Sequence, residues 1–147
     1  MSDAAVLDLD ELNALAEAMG MPSKTASKVL LVEDDPNTLG QLAKLLGKER
    51  ISYLIAASPQ RALDALRTDM DIGLMIIDLR ISGDGKGLEL IRQVRDSEYG
   101  QIPVIVVSAD AGVGDAIEAM RLQVADFFLK PFDLSLLLQA LRGELGV

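Results

Sequence analysis

The sequence predicts an α/β domain built on a doubly wound parallel sheet. Three observations carry that prediction. From Lys28 onward, short apolar runs alternate with amphipathic segments, the pattern of strands joined by crossover helices. The central run, Leu74-Met75-Ile76-Ile77, is apolar at every position, as suits a strand buried on both faces. That run stops abruptly at a carboxylate, Asp78, and strands of an open parallel sheet carry their chemistry just beyond such ends.

The elements follow in order. Val29–Val32 is the first strand, closed by Glu33-Asp34-Asp35. Asp35-Pro36 starts a helix, with Asp as N-cap and Pro at the first helical position; Leu39, Leu42, Ala43, Leu45 and Leu46 form its apolar face, and Gly47 can close it. Ile51–Ala56 is the second strand, and Ser58-Pro59 repeats the cap-plus-Pro signal before Ala62, Leu63, Ala65 and Leu66. The third strand ends at Asp78. A glycine-rich loop, Ser82 to Gly87, leads to a helix over Leu88–Val94. Pro103 opens the fourth strand, which ends at Ser108, because Pro is tolerated at a strand's first residue. Ala116 to Leu122 is a helix, Ala125–Leu129 the fifth strand, and Asp133 caps a last helix rich in leucine. Right-handed crossovers place the helices on both faces of the sheet.

Residues 1–27 stand apart as an extension. Asp8 and Glu11 read as a capping box flanked by Leu7 and Leu12. Leu9, Leu12, Leu15, Ala16 and Met19 then share one helical face, Gly20 is a stop, and Met21 to Ser27 reads as a linker. The sequence leaves two readings of this extra helix open: one loosely docked on its own domain, or one packed on a partner or a second copy.

Composition narrows the chemistry. A 147-residue chain can bury about 68–70% of its unfolded surface without staples. It has no Cys, so no disulfide and no thiolate metal site. It has no His either, which removes imidazole general bases, His-ligated metals and any phosphohistidine carried by this chain. A net charge of −9 repels phosphate backbones, so direct nucleic-acid binding is not expected. No secretory signal and no membrane span is expected, and a reducing cytoplasmic setting is the default reading.

The chemistry-bearing residues gather at strand ends. The first strand delivers Glu33 and Asp34, the third Asp78, the fourth Ser108 and the fifth Lys130. On one rim, the carboxylates repel by about 4 kcal/mol per pair at ~4 Å and an effective dielectric of 20. A proton or a cation must compensate. Oxygen-only ligands favour a hard ion, and Mg²⁺ held by carboxylates and phosphate oxygens fits. Asp78 can then serve as a nucleophile that forms an aspartyl-phosphate. Lys130 and Mg²⁺ would neutralise the transferring group, and the Ser108 hydroxyl could donate to a phosphate oxygen.

Val32-Glu33-Asp34-Asp35, Ile77-Asp78, Ser108-Ala109 and Phe127-Phe128-Leu129-Lys130-Pro131-Phe132 together resemble the response-regulator receiver domain of two-component signalling. The resemblance spans residues 28–147 and implies a flavodoxin-like (βα)5 sheet of order 2-1-3-4-5. It implies Asp78 as phosphoacceptor, and Glu33, Asp34, Asp78 and the Arg80 backbone carbonyl as the Mg²⁺ site. Ser108 and Lys130 would contact the phosphate. Phe127 would be the aromatic whose rotamer follows phosphorylation, and Lys130-Pro131 would be cis. The implied partner is a sensor histidine kinase or a histidine phosphotransfer protein, with a downstream effector unknown from the sequence. Dimerisation through the last helix is common in the family, so a homodimer is possible. The domain would be a phosphoacceptor that assists its own phosphotransfer and dephosphorylation rather than an enzyme acting on other substrates. The chain would be a stand-alone receiver or a fragment cut before its effector.

Two departures from the family pattern stand out. The family usually places Pro four residues after the acceptor, where this chain has Ser82, and the loop from Ile81 to Gly87 is one residue longer. Arg80 and Asp110 lie two residues past Asp78 and Ser108, positions that tune hydrolysis in this family.

Plainer roles compete for several of these residues. Asp35 is an N-cap and has no chemical role. Glu33 and Asp34 alone could be solvated charges, Ser108 could satisfy backbone groups, and Lys130 could snorkel to solvent. Phe127 could simply be core, since alternation sends Phe127 and Phe128 to opposite faces and only one need be buried. Gly83 to Gly87 lacks the spacing of a nucleotide-binding phosphate loop. The main reading is a phosphoryl-accepting domain that reshapes the face built from residues 112–145. The alternative is a pseudo-receiver that binds partners without phosphorylation. A flavin carrier fits poorly, because its phosphate would meet Glu33-Asp34-Asp35 where donors are needed.

Overall fold

The computed structural model describes residues 11, 14, 15, 27–83 and 85–147. Five strands run in chain order β1 (Lys28–Val32), β2 (Tyr53–Ala56), β3 (Ile72–Asp78), β4 (Val104–Ser108) and β5 (Asp126–Leu129). The helices between and after them are α1 (Pro36–Lys48), α2 (Pro59–Thr68), α3 (Lys86–Arg95), α4 (Val113–Arg121) and α5 (Leu134–Leu145). All strand pairs are parallel, in the order β2-β1-β3-β4-β5. This is the doubly wound parallel sheet that the alternating pattern predicts, in the flavodoxin-like order that the family resemblance implies, and its order reverses between β1 and β3, where such folds bind ligands.

Strand alternation divides the core into two layers. Leu30, Val32, Met75, Ile77, Val104 and Val106 face α2, α3 and α4. Val29, Leu31, Leu74, Ile76, Ile105 and Val107 face α1 and α5. The central strands are therefore apolar at consecutive positions because each face meets helices. Phe127 and Phe128 part as alternation requires, but both are half-buried, one on each layer. The sequence reading needed only one of them buried. β5 is an edge strand with a helix on each face, so each ring finds apolar cover.

Helix boundaries differ from the sequence reading where a loop residue supplies a local bond. The Asp35 carboxylate accepts from the Thr38 N–H at 3.1 Å and Ser58 Oγ from the Arg61 N–H at 3.2 Å, as the caps predict. Ile51 does not open β2, because its N–H donates to the Leu46 carbonyl at the end of α1. α4 begins three residues earlier than expected, since the Asp115 carboxylate reaches back to the Gly112 N–H at 3.2 Å. α3 begins two residues earlier, at Lys86. The close approach at Gly87 permits this: a Cβ there would lie 2.5 Å from the Leu79 backbone. Of the expected N-terminal helix, Glu11, Ala14 and Leu15 are helical and exposed. The rest of that helix, with Asp8 and Gly20, and most of the linker lie outside the described residues.

The loop after β3 explains the missing proline. Ser82 has φ 59°, followed by Gly83 at 116° and Gly85 at 78°. Proline is locked near φ −65° and cannot take the conformation of Ser82. Ser82→Pro should therefore destabilise the protein by more than about 1 kcal/mol, read as a lowered midpoint in urea unfolding with an unchanged slope.

Candidate functional site

Pairing register decides how far each candidate stands above the sheet. Val32 pairs with Ile77, so Glu33 and Asp78 leave β1 and β3 side by side. Asp78 pairs with Val107, which sets Ser108 one residue further out. Ser108 pairs with Leu129, and the Lys130 N–H donates to the Ser108 carbonyl at 2.8 Å. From there the Lys130 side chain spans back over the rim. Its Nζ lies 2.7 Å from Glu33 Oε1 and 3.2 Å from Asp78 Oδ2. The Lys130-Pro131 bond is cis.

Three carboxylates meet at this place. Glu33, Asp34 and Asp78 each offer an oxygen, and the three oxygens lie within 4.8 Å of one another. Glu33 and Asp78 are buried, whereas Asp34 is exposed. Glu33 is already engaged: Oε1 accepts from Lys130, and Oε2 accepts from the Asp34 and Asp35 N–H groups at 3.1 and 3.2 Å. Asp78 Oδ1 accepts from the Arg80 N–H at 3.0 Å. The exposed Asp34 carboxylate and the rim-facing Asp78 thus make a hard, all-oxygen donor set that fits Mg²⁺.

Burial raises the Glu33 pKa above its ordinary value; the Lys130 hydrogen bond and the Asp35 N–H pull the other way, and Asp78 adds to the rise. Burial also works against the Lys130 ammonium, but Glu33 and Asp78 outweigh it, so its pKa stands above normal. One cause explains both directions. Each group has lost water, but Lys130 faces two opposite charges while Glu33 faces one opposite and one like charge.

Ser108 is fully buried, and its Oγ is the one buried side-chain polar atom among the described residues without a hydrogen-bond partner. It therefore does not merely satisfy backbone groups. An orphan hydroxyl in the interior costs free energy, and its position at the end of β4 leaves it available to a group arriving at the rim. Phe127 pairs in register with Val106, two residues before Ser108, and packs on the layer that holds Ala119 of α4 and Leu122.

Sequence reasoning located Arg80 and Asp110 singly but missed that they meet. Arg80 Nη1 lies 3.0 Å from Asp110 Oδ2 across the mouth of the site. Nothing in their spacing, thirty residues apart, signals the pair.

A family model described as the response regulator receiver domain matches residues 29–142. The chain belongs to that family. Receiver domains are signalling domains that bind Mg²⁺ through acidic residues, as the cluster here would allow. The chain is 34% identical over 118 residues to the transcriptional regulatory protein FixJ of Azorhizobium caulinodans, covering 80% of this chain and 54% of that protein. It is 31% identical over 122 residues to a chemotaxis protein CheY homolog of Campylobacter jejuni, covering 80% and 92%. A response regulator receiver protein from Pseudomonas putida has a similar structure, with a TM-score of 0.76 at 39% identity, covering 80% of this chain and 97% of that one. The chain spans about half the length of the FixJ relative and 27% of the regulatory protein DctD of Pseudomonas aeruginosa. Among the described residues, no helix is long and apolar enough to cross a membrane.

Two outcomes follow from this balance of charge. Lys130→Met leaves two buried carboxylates uncompensated and should cost about 3 kcal/mol in metal-free buffer, whereas Asp78→Asn relieves repulsion and should raise the unfolding midpoint while weakening Mg²⁺ binding. The second outcome concerns pH. Because the folded state binds the Glu33 proton more tightly than the unfolded chain, this group's contribution to stability falls as pH rises from about 4.5 toward neutrality. The stability of the wild type relative to Glu33→Gln should therefore decline over that interval, measured by urea unfolding at a series of pH values.

Proposed function

We propose that residues 28–147 form the receiver domain, with residues 1–27 an extension of it, and that Asp78 accepts a phosphoryl group from a histidine on a partner kinase or phosphotransfer protein. A carboxylate oxygen of Asp78 attacks phosphorus, a P–O bond forms, the P–N bond to the partner's imidazole breaks, and its electron pair returns to that ring. The observation that carries this reading is the rim itself: three carboxylates within 4.8 Å, a bridging ammonium and an orphan buried hydroxyl.

Asp34, Asp78 and the Arg80 backbone carbonyl would hold Mg²⁺, with Glu33 acting through its neighbours. Bound there, the ion would offset negative charge on the transferring group. Lys130 supplies a second positive charge and moves from Asp78 toward the phosphoryl oxygens. Ser108 donates a hydrogen bond from its hydroxyl to one of those oxygens. The resulting demand on Ser108 draws the end of β4 toward the phosphoryl group, and Phe127, under α4, turns into the space that opens. The output is a change in the face formed by α4, β5 and α5.

Ser82 and its left-handed loop favour one alternative, a pseudo-receiver whose loop serves protein contacts without phosphorylation. A mass measurement separates the two. Incubated with Mg²⁺ and a small acyl phosphate, the wild type should gain one phosphate and Asp78→Asn none. A wild type that takes up no phosphate from any donor supports the pseudo-receiver.

A further inference from the structure

We propose that the ion pair between Arg80 and Asp110 is a latch that holds the start of α4 against the acceptor loop, and that a phosphoryl group on Asp78 opens it by drawing Arg80 away. The proposal deepens the phosphoacceptor reading and rests on it.

The argument begins with how weakly α4 is packed. Ala119 is its one buried residue. Its first residue, Val113, is 79% exposed, and its N-cap is a glycine with no side chain to bond the first turn. Below the latch, a cleft of about 340 Å³ separates the two loops, lined by Leu79, Gly85, Leu88, Gly112 and Asp115. Apolar packing therefore does little to join the first turn of α4 to the acceptor loop. The direct tie is Arg80 Nη1 to Asp110 Oδ2 at 3.0 Å.

The other end of α4 is held firmly. The Arg95 guanidinium donates to the carbonyls of Leu122 and Gln123 just after α4, at 2.8 and 3.2 Å, and to those of Gly100 and Ile102 at 2.9 and 2.6 Å. Glu118 Oε1 accepts from Arg92 at 3.0 Å. The helix is thus anchored at its C-terminal end and tethered at its N-terminal end by an exposed ion pair, which makes it a lever with a defined pivot.

Arg80 is also tied to the acceptor. Its N–H donates to Asp78 Oδ1 at 3.0 Å, so its side chain starts at the rim where the phosphoryl group would sit. Asp110 carries one negative charge and is 82% exposed. The aspartyl phosphate carries nearly two negative charges, about one more than the carboxylate it replaces, and three terminal acceptor oxygens, which pair with guanidinium in bidentate fashion. Competition for Arg80 therefore favours the phosphoryl group, and Asp110 leaves with the first turn of α4.

Amide hydrogen exchange at Ala116 to Met120, within α4, tests this in the full chain. In the unmodified state, Arg80→Ala and Asp110→Ala should each speed that exchange roughly two- to fivefold, the span of an exposed ion pair. Beryllium fluoride with Mg²⁺, a phosphoryl mimic, should speed it comparably in the wild type and by a smaller factor in either variant. Equal exchange in all three unmodified proteins would overturn the latch, as would an equal response to the mimic in all three. Phosphate uptake on Asp78, read by mass on the wild type, reports separately: its absence sinks the phosphoacceptor reading and the release step together, while uptake without the exchange differences sinks the latch alone.

Discussion

The crowding of Glu33, Asp34 and Asp78 around one ammonium is the constraint on which the rest of the site depends. Three carboxylates within 4.8 Å would repel strongly in a partly buried rim. Lys130 reaches two of them, Glu33 and Asp78, and its charge is smaller than theirs combined. The residual negative charge has an outlet only toward solvent, where Asp34 is exposed. A divalent cation placed there completes the balance. With charge so compensated, a carboxylate can serve as the nucleophile in a chain that has no histidine to act as base.

Three members of the rim, Glu33, Asp78 and Lys130, are held by backbone groups. Glu33 is held by two backbone N–H groups, Asp78 by the Arg80 N–H, and Lys130 by its backbone bond to Ser108. Beneath them the strands are buried on both faces, so the register cannot slip without exposing a full layer of Leu, Ile and Val. This rigidity contrasts with α4, whose attachment is mostly polar. A stiff acidic rim beside a weakly packed helix is a sound arrangement for turning a local change of charge into movement elsewhere.

The loop after β3 shows how one exchange changes backbone rather than chemistry. A residue with φ 59° at position 82, followed by two glycines in positive φ, sets the path of the connection between Asp78 and Gly87. At Gly87 the chain touches the Leu79 backbone so closely that no side chain fits. The departure from the family pattern thus lies in the path between two fixed points, Asp78 and Gly87.

The sequence by itself determined the alternating α/β class with a parallel sheet, the helix caps at Asp35, Ser58 and Asp133, and the acids, hydroxyl and lysine at strand ends. These are legible because each rests on local pattern: period, cap chemistry, or the abrupt end of an apolar run. Tertiary structure alone decided the Arg80–Asp110 pair, the orphan state of Ser108 and the half-burial of both Phe127 and Phe128. Each of those depends on the distance between segments far apart in the chain, or on whether a neighbouring helix covers a strand. Only packing fixes such distances, and no spacing of residues along a single chain encodes them.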